Sequence, residues 1–197
     1  MPLNPDVAYA PQRYWEDGLE RRFDETATGF PHLALSWNRW LYRAMRDSVA
    51  RVLRAGGVDG PLGGRDVLDV GCGTGAWLEF WQRRAPRSLA GCDLTAASVH
   101  RLRARFPDVE LRQADIGELR APFARRFDLI SVIAVLQHVT DDARFRRALA
   151  HLEEMLAPGG AIVCTDALIA RRYLGEAKPA GAISWARSRT EWERALA

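Results

Sequence analysis

The residues best suited to chemistry lie in one short tract, where three glycines at alternate positions follow an apolar stretch. These are Gly71, Gly73 and Gly75, directly after residues 67–70. Glycine has no Cβ atom, so it adopts positive φ easily and lets a ligand approach the main chain. A helix beginning near Ala76 would add unsatisfied N–H groups at its first turn. Such a backbone is typical of a nucleotide-binding loop, although the same glycines can also form a turn without a ligand.

Two acidic residues accompany this tract. Asp69 lies two residues before the first glycine, inside an otherwise apolar strand end. A buried carboxylate is costly without a polar or cationic partner, so Asp69 favours a supporting role in a binding site over a purely structural role. Asp93 follows the apolar stretch 88–92, where dinucleotide-binding folds place the acid that binds a ribose. Together the two acids predict a nucleoside site, without choosing the nucleoside.

The string D-V-G-C-G-T-G, residues 69–75, resembles the first motif of class I S-adenosylmethionine-dependent methyltransferases. The likeness continues in order along the chain. Asp115 and Ile116 follow a third apolar stretch, and residues 127–139 are similar to the family's fourth strand and its exit loop. The resemblance implies an α/β, Rossmann-like fold with a mostly parallel sheet in the strand order 3-2-1-4-5.

The resemblance also implies which residues bind S-adenosylmethionine. In the family, an acid at the tip of the second strand accepts hydrogen bonds from the ribose hydroxyls, and residues after the third strand face the adenine. The residues predicted to bind the cofactor are Asp69, Gly71, Cys72, Gly73, Gly75, Asp93, Leu94, Asp115, Ile116, Ile133 and Tyr14.

His138 is the candidate catalytic residue. Family sequences often carry a histidine just after the fourth strand, and His138 occupies that position. A neutral imidazole there would accept a proton from a phenolic or hydroxyl acceptor. The alternative is that His138 packs against neighbouring residues or caps the following helix.

Residues 131–134, Ser-Val-Ile-Ala, favour a small-molecule acceptor. They lack the Asn/Asp-Pro-Pro-Tyr/Phe and Pro-Cys motifs of methyltransferases that act on planar nitrogens or on cytosine. The implied activity is methyl transfer to an O, N or C atom of a small molecule. Two alternatives stay open, a nonenzymatic cofactor-binding or partner subunit and a nicotinamide oxidoreductase. The short-chain form of the latter needs Tyr-x-x-x-Lys, whereas Tyr173 and Lys178 are five residues apart.

The chain is expected to divide into an N-terminal helical cap, residues 1–60, and a cofactor-binding domain, residues 61–197. Apolar residues recur at helical spacing over 33–53, and the cap aromatics are interpreted as packing residues. Residues 26–31 are predicted to form a hinge or lid loop, because their glycine and proline permit a bend.

The C-terminal part departs from the family pattern. The fifth predicted strand, 160–165, is followed by a polar loop and a helical tail that Ser188 or Thr190 could cap. We expect strands six and seven of the family to be missing and residues of the family domain to have been lost. The uncovered edge of strand five would then invite pairing, which makes a homodimer through this edge a predicted assembly.

Composition narrows the remaining possibilities. The chain has 197 residues, 48% of them hydrophobic, which is enough to bury a substantial core. It has neither an apolar run of about 18 residues nor a signal-like N-terminus, so we expect a cytoplasmic protein without membrane segments. The net charge of +3 comes from scattered arginines, which makes nucleic acid an unlikely partner. The cysteines and histidines show no spacing typical of disulfides or metal sites.

Overall fold

The computed structural model describes residues 10–58, 60–118, 121–166, 168–169, 184 and 186–196. Three helices precede the first strand, namely α1 (Pro11–Arg21), α2 (Glu25–Thr28) and α3 (Leu35–Ala55). The next elements are β1 (Asp66–Val70), α4 (Ala76–Gln82), β2 (Ser88–Asp93), α5 (Ala96–Arg105) and β3 (Glu110–Gln113). They are followed by β4 (Phe127–Ile133), a 3-10 turn (Leu136–His138), α6 (Asp142–Glu154), β5 (Leu156–Thr165), β6 (Leu168–Ile169), β7 (Arg187–Ser188) and α7 (Arg189–Leu196).

A five-stranded sheet in the order β3-β2-β1-β4-β5 forms the centre of the fold. All its neighbouring strands pair in parallel, and Val70 at the end of β1 lies opposite Cys92 of β2 and Val132 of β4. The central strands are almost continuously apolar because helices cover both faces of a parallel sheet. The predicted Rossmann-like fold with this strand order is confirmed. Its parallel strands bring their carboxyl ends to one edge, where such folds bind ligands.

The two faces of the sheet carry separate apolar clusters. One contains Val49 of α3, Trp81 of α4 and Leu102 of α5. The other contains Phe145 and Leu152 of α6, with Trp192 of α7 packed against it. Since α3 shares its cluster with α4 and α5, the helices before β1 pack directly on the sheet domain.

The two tryptophans of α3 are not buried, although the sequence led us to interpret the cap aromatics as packing residues. Trp37 and Trp40 are 39% and 60% exposed, whereas Asn38 is completely buried. The Asn38 amide accepts a hydrogen bond from Phe30 N (2.8 Å) and donates to Phe30 O (3.0 Å). The spacing of apolar residues cannot show that Asn38 is buried. Its amide is buried because it satisfies backbone groups of the turn before α3. The predicted lid loop 26–31 also begins inside α2 rather than as an open loop.

Residues 158–160, Pro-Gly-Gly, have the composition of a turn, but in the structure they form an irregular part of β5. The register with β4 passes from Phe127 opposite Leu156 to Leu129 opposite Ala161, so the intervening residues bulge. Gly159 has a φ of +73°, which suits glycine at a bulge.

The described part of the chain adds no strand outside β5. Ile162 is 40% exposed there, and β6 and β7 pair with each other in a separate two-stranded sheet. Over the described residues the main sheet ends at β5, and pairing of this edge with a second copy stays a prediction.

The tail contains the predicted helix with the predicted cap. Ser188 Oγ accepts from Glu191 N at 3.3 Å, and Glu191 Oε2 accepts from Ser188 N at 2.9 Å. This reciprocal pair is a capping box at the start of α7. Among the described residues, no helix has the length and apolar character needed to cross a membrane.

Candidate functional site

The carboxyl ends of β1, β2 and β4 open into a cavity of about 510 Å³ beneath α1, α2 and α3. Nine of the predicted site residues line it. They are Gly71, Cys72, Gly73, Asp93, Leu94, Asp115, Ile116, Ile133 and His138. Three others, Asp69, Gly75 and Tyr14, lie outside the lining.

The first half of the glycine loop is held against β2. Gly71 N and Cys72 N both donate to Cys92 O, at 2.8 and 3.0 Å. Gly71 has a φ of +71°, and a Cβ atom added there would lie 2.3 Å from Cγ2 of Val135. No other side chain fits this position without moving the turn after β4. The loop is therefore pressed between β2 and that turn.

The second half of the loop touches α2 and α5. Ser98 Oγ donates to Gly73 O at 2.6 Å, and a Cβ atom on Gly73 would lie 3.0 Å from Cγ2 of Thr28. A Cβ atom on Gly75 would lie 2.6 Å from Leu102. The third glycine thus allows close packing on α5, whereas Gly73 leaves its open side to the cavity and to Thr28.

Asp93 anchors the loop from the tip of β2. Its carboxylate accepts hydrogen bonds from Gly73 N (2.8 Å), Thr95 N (2.9 Å) and Thr95 Oγ1 (2.7 Å). A carboxylate has about four acceptor positions, so one remains for a ligand hydroxyl in the cavity. Burial raises the pKa of Asp93, while the hydrogen bonds from Thr95 and Gly73 oppose that rise.

Asp69 lies one layer below the cavity, only 1% exposed. Its Oδ2 atom is buried near Ser131 Oγ and Trp81 Nε1, and within the described part of the chain none of these three atoms makes a hydrogen bond of ordinary geometry. Burial raises the pKa of Asp69 to about 7 and the charge of Asp93 adds to the rise, while the Ser131 and Trp81 side chains oppose it. Asp69 therefore retains a proton more readily than an exposed aspartate does.

The pKa of Asp69 predicts a pH-dependent stability. In the unfolded chain this carboxyl ionises near 3.8, but in the folded protein only near 7. The folded state therefore retains the proton longer, and the free energy of unfolding should fall as pH rises between these values. Asp69→Asn should remove this part of the slope in melting curves. Asp66→Asn is the control, because the hydrogen bond from Arg87 lowers the pKa of Asp66 to about 2. Equal slopes in wild type and Asp69→Asn would contradict the assignment.

Asp115 lines the cavity but is already engaged. It accepts from Gly117 N at 2.8 Å, and Arg144 of α6 forms a salt bridge with it. Arg144 also contacts Glu118 at 2.9 Å. In the sequence, Arg144 belongs to the basic stretch 144–147, which alternates with apolar positions as the solvated face of a helix does. The fold instead brings Arg144 of α6 to the rim of the cavity.

His138 lies on the turn after β4 and lines the cavity. The Trp15 ring of α1 contacts its imidazole edge-on, with centroids 4.9 Å apart. The side-chain amide of Gln137 lies 3.2 Å from Nε2 of His138, so it can donate to a neutral ring. Both predicted roles, proton acceptor and packing residue, are compatible with this position.

Sequence reasoning missed most of the cap wall. Thr28 Oγ1 and Tyr42 OH lie 2.7 Å apart, and Leu19 and Met45 extend the wall. Helical spacing marks such residues as apolar but gives no sign of which ones face a cavity.

Glu16 fixes α1 over the site. Its carboxylate accepts from Ala96 N (2.9 Å) and Ala97 N (2.6 Å) at the start of α5. A carboxylate at a helix N-terminus is favourable because it meets unsatisfied N–H groups.

Carboxylates outnumber cations in the cavity lining. Asp93, Asp115, Glu118 and Asp141 contribute carboxylates, and Arg144 contributes the only guanidinium among the described lining residues. This balance suits a positively charged ligand better than a pyrophosphate.

The family described as "Methyltransferase domain" matches residues 67–160, from the start of the glycine tract to the bulge in β5. The ubiquinone biosynthesis O-methyltransferase of Paracidovorax citrulli is 37% identical over 114 residues, covering 55% of this chain and 47% of that protein. Over residues 67–160 the chain is a methyltransferase domain, similar to those of the class I S-adenosylmethionine-dependent methyltransferases.

Solved structures share the architecture. CalS10 from Micromonospora echinaspora, an amino pentose methyltransferase with bound S-adenosylmethionine, is 28% identical, with a TM-score of 0.52 over 68% of this chain and 56% of that chain. The DhpI complex with S-adenosylmethionine and HEP has a TM-score of 0.68 over 93% of this chain and 84% of that chain. Its identity of 23% supports the fold alone. The chain spans about half the length of the curated relatives it matches.

Proposed function

We propose that this protein transfers a methyl group from S-adenosylmethionine to an O, N or C atom of a small molecule. The observation that carries the proposal is the cavity itself, in which a glycine loop and Asp93 meet a lining whose charged groups are mainly carboxylates. A sulfonium cation is compatible with that charge, whereas the pyrophosphate of a nicotinamide cofactor is not. The match to the methyltransferase domain supports the same activity.

The residues of the cavity fit this cofactor. Asp93 keeps an acceptor position for a ribose hydroxyl, and Ile116 and Asp115 provide an apolar contact and a carboxylate for an adenine ring.

The cofactor supplies an electrophilic methyl carbon, so the protein needs mainly to align the acceptor and exclude water. The cap covers the cavity through Trp15 and Tyr42, which limits access of solvent. His138 lies at the rim of the same cavity and would accept the proton of a hydroxyl acceptor. A cofactor-binding subunit without catalytic activity would need neither this exclusion of solvent nor a proton acceptor.

The cap wall favours an acceptor with an apolar or aromatic body. Its contacts come from Trp15, Leu19, Met45 and Trp77, and the Tyr42 hydroxyl adds a polar point. Aromatic side chains bury large apolar area and orient planar ligands. Several curated relatives are named as ubiquinone biosynthesis O-methyltransferases, which supports a hydroxyl acceptor.

Calorimetric titration with S-adenosylmethionine, S-adenosylhomocysteine and NAD tests the proposal. We expect binding of the first two and none of NAD. Transfer of a labelled methyl group to a panel of phenols, amines and acidic carbon compounds then tests catalysis, with Gly73→Val as the negative control. Binding of NAD would contradict the cofactor assignment. Cofactor binding without transfer to any acceptor in the panel would favour the nonenzymatic partner subunit.

The wider arrangement of the protein is proposed on the same basis. Residues 1–60 would form a cap that selects the acceptor, and residues 61–197 would bind the cofactor. A cytoplasmic location, the absence of a nucleic-acid partner and a homodimer through the outer edge of β5 complete the proposal.

A further inference from the structure

Arg187 of β7 is a buried arginine whose role the site described above leaves open. The residue is 2% exposed, and its guanidinium carbon lies 3.6 Å from the centre of the Phe145 ring. The Trp192 ring contacts the same Phe145 ring edge-on, with centroids 5.0 Å apart. Burying a guanidinium is costly unless its donors are satisfied, so the position of those donors indicates what the residue does.

The donors of Arg187 point to the turn that carries His138. Nη2 donates to Val139 O at 2.9 Å, and Nη1 approaches Leu136 O at 3.5 Å. Nη2 also lies 3.3 Å from Asp142 Oδ1 at the start of α6. The two carbonyls flank His138 in the chain, so one planar guanidinium spans the residues on both sides of the candidate base.

The turn itself has little regular structure to hold it. Ala134 at its start has a φ of +56°, a strained value for a residue with a side chain. Thr165 of β5 holds this end, since Ala134 N donates to Thr165 O and Oγ1 at 3.1 Å each. Arg187 holds the opposite end. Without it, Val139 O would lose a charged donor in a buried place.

We propose that Arg187 is a positioning residue that fixes the turn 134–141 and thereby holds His138 at the cavity. The proposal rests on the proposed function, in which His138 accepts the acceptor's proton. Arg187 is not among the residues that line the cavity. We therefore place it in contact with neither cofactor nor acceptor, and it acts through the carbonyls of Leu136 and Val139. Small displacements of a catalytic group are costly, since a shift of about 1 Å lowers turnover by about a hundredfold.

Arg187→Met and Arg187→Lys test this role, with Arg189→Met as the matched control. Arg189 is an exposed arginine two residues away, and within the described chain it forms an ion pair with Glu193 along α7. We expect Arg187→Met to lower kcat by at least about tenfold, while S-adenosylmethionine affinity and acceptor KM change little. Arg187→Lys should recover part of kcat because it retains a charge for Asp142. Arg189→Met should match wild type.

Histidine ring resonances give a readout that needs no turnover. In ¹³C-labelled protein, the C2–H signal of His138 is the one absent from His138→Ala. We expect this signal to shift and broaden in Arg187→Met and to stay unchanged in Arg189→Met. If Arg187→Met does not fold, the same comparison is made with Arg187→Lys, which should show the smaller change.

An unchanged His138 signal and unchanged kcat in the folded Arg187 variants would overturn the proposal. Equal losses of cofactor affinity and kcat would also overturn it, because they indicate general damage to the domain. Failure of the proposed function gives a different result. In that case His138→Ala retains full turnover, or wild type shows none, while the His138 signal still responds to Arg187→Met.

Discussion

Asp93→Ala is expected to weaken S-adenosylmethionine binding by about a hundredfold or more, the largest effect of any single acidic substitution. Each hydrogen bond to a charged group contributes roughly 1.5 to 3 kcal/mol, and tenfold in affinity corresponds to about 1.4 kcal/mol. The variant loses the ligand's acceptor and also releases Gly73 N and both donors of Thr95. Calorimetric titration with S-adenosylmethionine measures the change.

Two further variants make that result specific. Asp93→Asn retains an acceptor oxygen without the charge, so its affinity should fall between wild type and Asp93→Ala. Asp128→Ala removes a carboxylate that accepts from Asp66 N at the opposite end of the strands, and it should bind the cofactor normally. If Asp93→Ala binds as tightly as wild type, Asp93 is not part of the site.

His138→Ala is expected to lower methyl transfer to a hydroxyl acceptor by about a hundredfold while cofactor affinity is retained. General base catalysis typically supplies about 10² to 10⁴ in rate. The base must be neutral, so the pH profile of wild-type activity should show a loss of rate on its acidic side, and the variant should lack this inflection. Steady-state rates across the pH range provide the measurement.

His32→Ala is the matched control, because His32 is exposed on the turn before α3 and lies outside the cavity lining. It should follow the wild-type pH curve. If His138→Ala also follows that curve, the imidazole packs against Trp15 and takes no part in proton transfer.

The central part of the site was predictable from the sequence because its signals are local. Gly71 and Gly73 have positive φ, and Asp93 is the last residue of its strand, so neighbouring residues identify all three. The strand order followed from the ordered family resemblance. Cys72 and Cys92 are a further example. Each is next to a predicted site residue in the chain, and each lines the cavity beside the loop.

The missed features depend on residues distant in the chain. Arg144 and Arg187 read as ordinary helical or tail arginines until the fold brings them to Asp115 and Val139. The exposure of Trp40 was equally hidden, because spacing in α3 does not show which apolar positions lack a neighbour. Tertiary contact, rather than local propensity, decides these positions.

The cavity wall is divided along the chain, which bears on how its relatives should be compared. The cap residues that line it lie before residue 46, whereas the family match spans only 67–160. Sequence identity counted over residues 67–160 therefore reports on the proposed cofactor-binding part and leaves the cap out of the comparison. The acceptor wall that we propose for the cap belongs to a tract that can diverge while the glycine loop stays constant. Two proteins with nearly the same loop would then be able to methylate unrelated compounds.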